Sequence, residues 1–146
     1  YKGLHLGGGR KPDGIIYTDT LDENYGTIID TKAYSKGYSL PISQADEMRR
    51  YIEENNKRDE KINSNKWWLN FPDIIKKFGF LFVSSEFNGQ FESKLKNIAQ
   101  STSIHGGALN VVNLLILAEN IKSNIMDLEQ VYNLITQDSE IKLIEA

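Results

Sequence analysis

The chain contains no cysteine, only three prolines among 146 residues, and no excess of positive charge. Without cysteine there can be no disulfide, no thiolate nucleophile and no zinc site built on sulfur, and a reducing cytoplasm suits such a chain. The net charge of −3 does not favour a nucleic-acid binder, whose domain is often basic. It leaves room for a local basic groove on an acidic protein. No apolar run approaches the roughly 18–20 residues of a membrane span. The longest, "VVNLLILA", fits a core helix better. No signal peptide is present, and the opening "YKGLHLGGGRKPDG" reads as the middle of a longer polypeptide. The length suits one domain with a real core, and 40% hydrophobic with 25% charged residues is an ordinary globular composition.

What is present reads as an α/β chain. "GIIYT" (14–18) and "YGTIIDTKAY" (25–34) are rich in β-branched and aromatic residues and flank the polar turn "DTLDEN", which predicts a hairpin-like strand pair. "LPISQADEMRRYIEENNKRDE" predicts a helix, with Pro41 in its first turn and Ile42, Ala45, Met48 and Ile52 on one face. "KFGFLFVSS" (77–85) has the length and continuity of a buried central strand. "NGQFESKLKNIAQST" predicts an amphipathic helix with Phe91, Leu95 and Ile98 inward. "GGALNVVNLLILAENIKS" predicts a short strand or turn running into a helix, and "MDLEQVYNLIT" a last helix capped by Asp127. Helices alternating with strands point to an α/β sandwich around a mixed sheet.

The chemistry concentrates in the hairpin. Asp30 and Lys32 of "GTIIDTKAY" share a strand face, because side chains alternate along a strand. Sixteen residues separate Asp13 from Asp30, so pairing of the two strands brings both carboxylates to one end of the pair. Two hard oxygen ligands beside one ammonium suit Mg²⁺, which keeps waters and completes its octahedron with substrate phosphate. Lys32 can then position the attacking water and offset developing negative charge. A lone D-x-K is more often an exposed ion pair, worth about 0–1 kcal/mol. Here it ends a hydrophobic strand and follows an upstream Pro-Asp, making the pattern PD…D-x-K.

"HLGGGRKPDGIIYT", "DTKAYSKGYSLPISQADEMRRYIEEN", "NKWW" and "FLFVSSEFNGQF" resemble the cleavage domain of FokI-type type IIS restriction endonucleases, in register from Tyr1 to about Ala118 and more weakly beyond. The resemblance implies a PD-(D/E)XK restriction-endonuclease-like fold with a central mixed sheet flanked by helices. It implies Mg²⁺ dependence, with Mn²⁺ able to substitute, and cleavage of double-stranded DNA without sequence preference by a weak or transient homodimer. It assigns Asp13 and Asp30 to the metal and Lys32 to catalysis, and it matches Asp46 and Arg50 to an acid and an arginine at the dimer interface. It further implies a bacterial cytoplasmic enzyme, and that residues 1–146 form a cleavage domain lacking its N-terminal helices and an upstream DNA-recognition region. Gly9 stands where the family usually has serine. A non-catalytic DNA-holding or dimerisation module is the rival reading, and a repair or recombination nuclease of the same fold a third. The latter is disfavoured because Gln44 is followed by Met48, not by the tyrosine of a Q-x-x-x-Y motif.

Other features carry less. "HLGGGRK" lacks the ending of a phosphate-binding Walker loop and reads as a flexible entry turn. Beside the proposed metal site, Arg10 and Lys11 are expected to touch DNA phosphates, and His5 less so. The helix face pairs Asp46 with Arg50, Arg50 with Glu54 and Glu53 with Lys57 at i,i+4, the pattern of a solvated face. Trp67 and Trp68 are expected to anchor a core edge rather than stack on bases. His105 is expected to be a loop residue.

Overall fold

The computed structural model describes residues 1–143 except positions 8, 21, 34 and 35. Six strands form one sheet in the order β1-β2-β3-β4-β5-β6. They are β1 (Lys2–His5), β2 (Gly14–Tyr17), β3 (Tyr25–Lys32), β4 (Lys77–Ser84), β5 (Gly106–Asn110) and β6 (Ser139–Glu140). The first three pair antiparallel, and β3 to β6 run parallel. The helices are α1 (Ile42–Lys57), α2 (Glu92–Thr102), α3 (Val111–Lys122) and α4 (Leu128–Ile135). This is the mixed sheet flanked by helices that the sequence predicts.

Strand alternation divides the core in two. Ile15, Ile28, Phe80, Phe82 and Ala108 face α1 and α2, where Met48, Tyr51, Ile52, Leu95 and Ile98 meet them. Leu81 and Leu109 face the other way, toward Leu117, Val131 and Ile135 of α3 and α4. Each odd–even step on β4 therefore switches layers, as the pleat requires, and a strand buried on both faces reads as the continuous apolar run "FGFLFV". Gly106 shows how closely β5 approaches β4: a Cβ there would lie 2.2 Å from the Phe80 carbonyl oxygen.

Several expectations need correction. The opening is not all flexible turn, since Lys2–His5 is an edge strand paired with β2. β6 also escapes the sequence reading, being two residues long. The β2 and β3 strands stop at Tyr17 and Lys32, and Tyr34 lies outside the described residues. Pro41 is the residue before α1 rather than in its first turn. Ile42 is 69% exposed and off the inward face. "VVNLLILA" is a core helix on one side only: Leu117 is buried, whereas Val111, Val112 and Leu115 are exposed. Asp127 does cap α4, in a reciprocal capping box with Gln130. Among the described residues no helix is long and apolar enough to cross a membrane.

Candidate active site

The hairpin of β2 and β3 builds the site. In the antiparallel register Gly14 faces Ile29, so the next step outward sets Asp13 beside Asp30. Asp13 is fixed by β3 itself: its Oδ2 accepts from the Thr31 backbone N–H at 2.8 Å and from the Thr31 hydroxyl at 3.1 Å. Its carbonyl accepts from the Leu6 N–H at 3.0 Å, which ties the start of β2 to the end of β1. Pro12, with no N–H to satisfy, occupies the buried position just before it.

Asp30 continues the Ile28 row on the face that looks toward α1 and α2, and is 5% exposed. Lys32, two residues on, brings its Nζ to 3.3 Å from Asp30 Oδ1. The two aspartates share a hydrogen bond and titrate apart. Burial is the largest influence on Asp30, and with the hydrogen bond to Asp13 it lifts the Asp30 carboxyl to about 7 against the opposing pull of Lys32. Burial also pushes Asp13 upward, but donation from Thr31, the hydrogen bond with Asp30 and the Lys32 charge outweigh it, so Asp13 is held below its usual value. Two carboxyls sharing one site cannot both ionise freely unless a cation joins them. Hard oxygens arranged this way, with an ammonium alongside, fit a divalent cation such as Mg²⁺. Ser84, the register neighbour of Lys32, has a buried hydroxyl with no partner, as does the side-chain oxygen of Gln44 in the first turn of α1.

The remaining predicted residues distribute as follows. His5 lines the same shallow pocket as Asp13 and Thr31. The segment Arg10–Lys11 leads directly into Asp13; Arg10 is exposed and Lys11 half-buried. Gly9 adopts φ +89°, a left-handed conformation that glycine takes without strain. Asp46 and Arg50 both lie on α1 with exposed side chains, but they do not pair within the chain. Asp46 bonds Arg49, whose Nε also reaches Ser101 of α2 at 3.2 Å. Arg50 instead turns to Glu54, Nε to Oε1 3.8 Å, and no Glu53–Lys57 pair forms among the described residues. Trp67 and Trp68 are 1% and 2% exposed, core anchors as expected. His105 is a loop residue whose Nδ1 lies 2.7 Å from Asp138.

Glu54 is the residue that sequence reasoning missed. Assigned to a solvated face, it is 1% exposed. The signal was present: Glu54 lies three residues after Tyr51 and six after Met48, on the flank of the apolar stripe. Trp67, buried nearby, needs an acceptor for its indole N–H.

The family model for the FokI cleavage domain matches residues 1–142. The chain is 51% identical over 131 residues, 90% of its length, to the type II restriction enzyme FokI of Planomicrobium okeanokoites. It is 38% identical over 131 residues to the type II restriction enzyme StsI of Streptococcus sanguinis. It spans only 23% and 21% of those two proteins. It superposes on the structure of restriction endonuclease FokI, and on that of FokI bound to DNA, with a TM-score of 0.93 and 48% identity in each case. Each match covers 98% of this chain and 25% of the other.

Proposed function

The chain belongs to the FokI cleavage-domain family, and from that premise we propose that it is the DNA-cutting domain of a type IIS restriction enzyme. Its substrate is double-stranded DNA, cleaved by hydrolysis of phosphodiesters without sequence preference of its own. Specificity comes from an upstream DNA-recognition region, and the whole enzyme works in a bacterial cytoplasm. The observation that carries this reading is the convergence of Asp13, Asp30 and Lys32 at one end of the β2–β3 pair.

Asp13 and Asp30 would hold the divalent cation, Mg²⁺ or in its place Mn²⁺. When bound, it supplies Lewis acidity to the phosphoryl oxygen and lowers the pKa of coordinated water. The chain's own residues do the rest. Thr31 orients Asp13 through two hydrogen bonds. Asp30, whose buried carboxyl holds its proton up to about 7, would have to be ionised to serve as a ligand. Lys32 holds the attacking water and balances negative charge gathering on the phosphate. Arg10 and Lys11, at the approach to Asp13, contact backbone phosphates and set the strand's register. Self-association uses the exposed face of α1: under two-fold symmetry Asp46 of one protomer meets Arg50 of the other, twice.

A plasmid-nicking assay tests the reading. In Mg²⁺ the wild-type chain, carried on its upstream region, should relax and linearise supercoiled DNA, and Asp30→Ala should lower the rate by ~10³-fold, the scale on which loss of electrostatic stabilisation acts. Cleavage by Asp30→Ala at the wild-type rate would refute it.

A further inference from the structure

We propose that Glu54, acting through Asn63, is a positioning residue for the metal-binding aspartate Asp13, and that Asn65 completes the device. This rests on the reading of Asp13 as a metal ligand.

The device is a short chain of hydrogen bonds between α1 and the entry to the site. Glu54 Oε2 accepts from the Trp67 indole N–H at 2.9 Å and from Asn63 Nδ2 at 3.1 Å, and Oε1 lies 3.3 Å from the same amide nitrogen. That nitrogen has a second hydrogen, and it goes to the Arg10 carbonyl at 2.8 Å. Asn65 Nδ2 donates to the same carbonyl at 2.9 Å. Both lone pairs of the Arg10 carbonyl are thereby used, by two side chains from a loop 53 and 55 residues away. Asn63 Oδ1 accepts from the Asn65 N–H and Asn65 Oδ1 from the Trp67 N–H, so the loop holds its own amides in place.

Only Lys11 and the rigid Pro12 separate Arg10 from Asp13. The segment is pinned at its far end by the Asp13 carbonyl to Leu6 and by the Asp13 carboxylate to Thr31. Pinning the near end leaves it little freedom. Glu54 satisfies buried donors in any case, but the second Asn63 hydrogen is the one that carries this network on to the Arg10 carbonyl beside the site. Glu54 is 1% exposed and Asn63 4%, so water cannot replace either one. Groups hydrogen-bonded to a metal's ligands commonly govern its affinity by about 10–100-fold; Glu54 acts one step further out, through Asn63 and the Arg10 carbonyl.

The test compares Glu54→Gln with wild type by Mn²⁺ titration calorimetry and by hydrogen exchange of the Thr31 amide, which reports whether Asp13 stays docked. Glu54→Gln keeps the shape but presents an N–H where a donor already points. Expected is at least tenfold weaker Mn²⁺ binding and at least tenfold faster Thr31 exchange. Ile52→Val, a core change on the same helix, should lower the melting temperature while leaving both readouts unchanged, which separates positioning from general stability. Should Glu54→Gln not fold, Asn65→Ala, at an exposed position, removes one of the two bonds to Arg10 and should shift both readouts in the same direction by about threefold. Wild-type Mn²⁺ affinity and wild-type Thr31 exchange in the foldable variants would overturn the proposal. If wild type itself binds no Mn²⁺, the metal reading fails, and unchanged or faster Thr31 exchange still decides the positioning role.

Discussion

Two buried acids connect to the two ends of the Arg10–Asp13 segment, and they are opposite in kind. Glu54 is surrounded by donors: an indole N–H, a side-chain amide and the Arg50 guanidinium. Asp30 faces another carboxyl and one ammonium. An acid whose lone pairs are filled by fixed protein donors belongs to the architecture. An acid buried against a second acid holds a proton it can surrender, and a cation is what makes surrender favourable. The contrast marks Asp30, rather than Glu54, as the acid with lone pairs left for a ligand.

The contrast can be broken at either acid. Glu54→Ala strips the partner from the Trp67 indole and from half of the Asn63 amide, leaving buried donors unpaired, and should destabilise the chain by about 2–5 kcal/mol. A urea-unfolding midpoint equal to wild type would show that Glu54 is not the hub of this network. Asp30→Asn should act in the other direction. Burial raises Asp30 in the folded chain from 3.8 to about 7, so its ionisation opposes folding and stability falls as pH rises from about 4 to 7. Asp13, held low, contributes stability that is lost only as pH falls below its unfolded value, outside that window. Relative to wild type, metal-free Asp30→Asn should therefore gain ~2–4 kcal/mol at pH 8 and little at pH 4. Thermal melts at the two pH values measure this; an equal difference at both would remove the basis for calling Asp30 the strained acid.

Arg50 sharpens the comparison from a third side, because it serves Glu54 within the chain and the proposed dimer outside it. Asp46→Arg should abolish self-association on DNA through like-charge contact, with a small effect on the fold. Arg50→Asp should restore a heterodimer when mixed with it, yet lower the melting temperature further than Asp46→Arg by an equivalent of about 1 kcal/mol, since it sets an acid beside Glu54. Sedimentation on a DNA duplex and thermal melts read the two effects separately. Normal dimerisation by Asp46→Arg alone would rule out this face.

Much of this was legible in the amino-acid sequence. The β2–β3 pair announces itself by β-branched residues around a polar turn, and Asp13, Asp30 and Lys32 follow from period-two alternation plus one pairing. Asp127 capped α4 because the capping pattern is local. The residues that escaped depend on contacts far apart in the chain. β1 is four exposed residues with a glycine among them, and only its pairing to β2 makes it a strand. Asp46 took Arg49 rather than Arg50, because Arg49 is also drawn to Ser101 on α2. Glu54 reads as one more charge on a charged helix until Asn63 and Trp67 close over it. Local patterning conveys which way a side chain points; what waits there is decided by a loop a dozen residues on.

The central claim is that Asp13 and Asp30 form one proton-sharing pair opened by a divalent cation. Calorimetric titration of Mn²⁺ at pH 7, repeated in two buffers of different ionisation enthalpy, tests it most directly. Binding with release of roughly half a proton per ion is expected, as a carboxyl of pKa about 7 demands, with the release vanishing by pH 9 and the binding lost in Asp30→Asn. Binding without proton release at pH 7, or undiminished binding by Asp30→Asn, would contradict it.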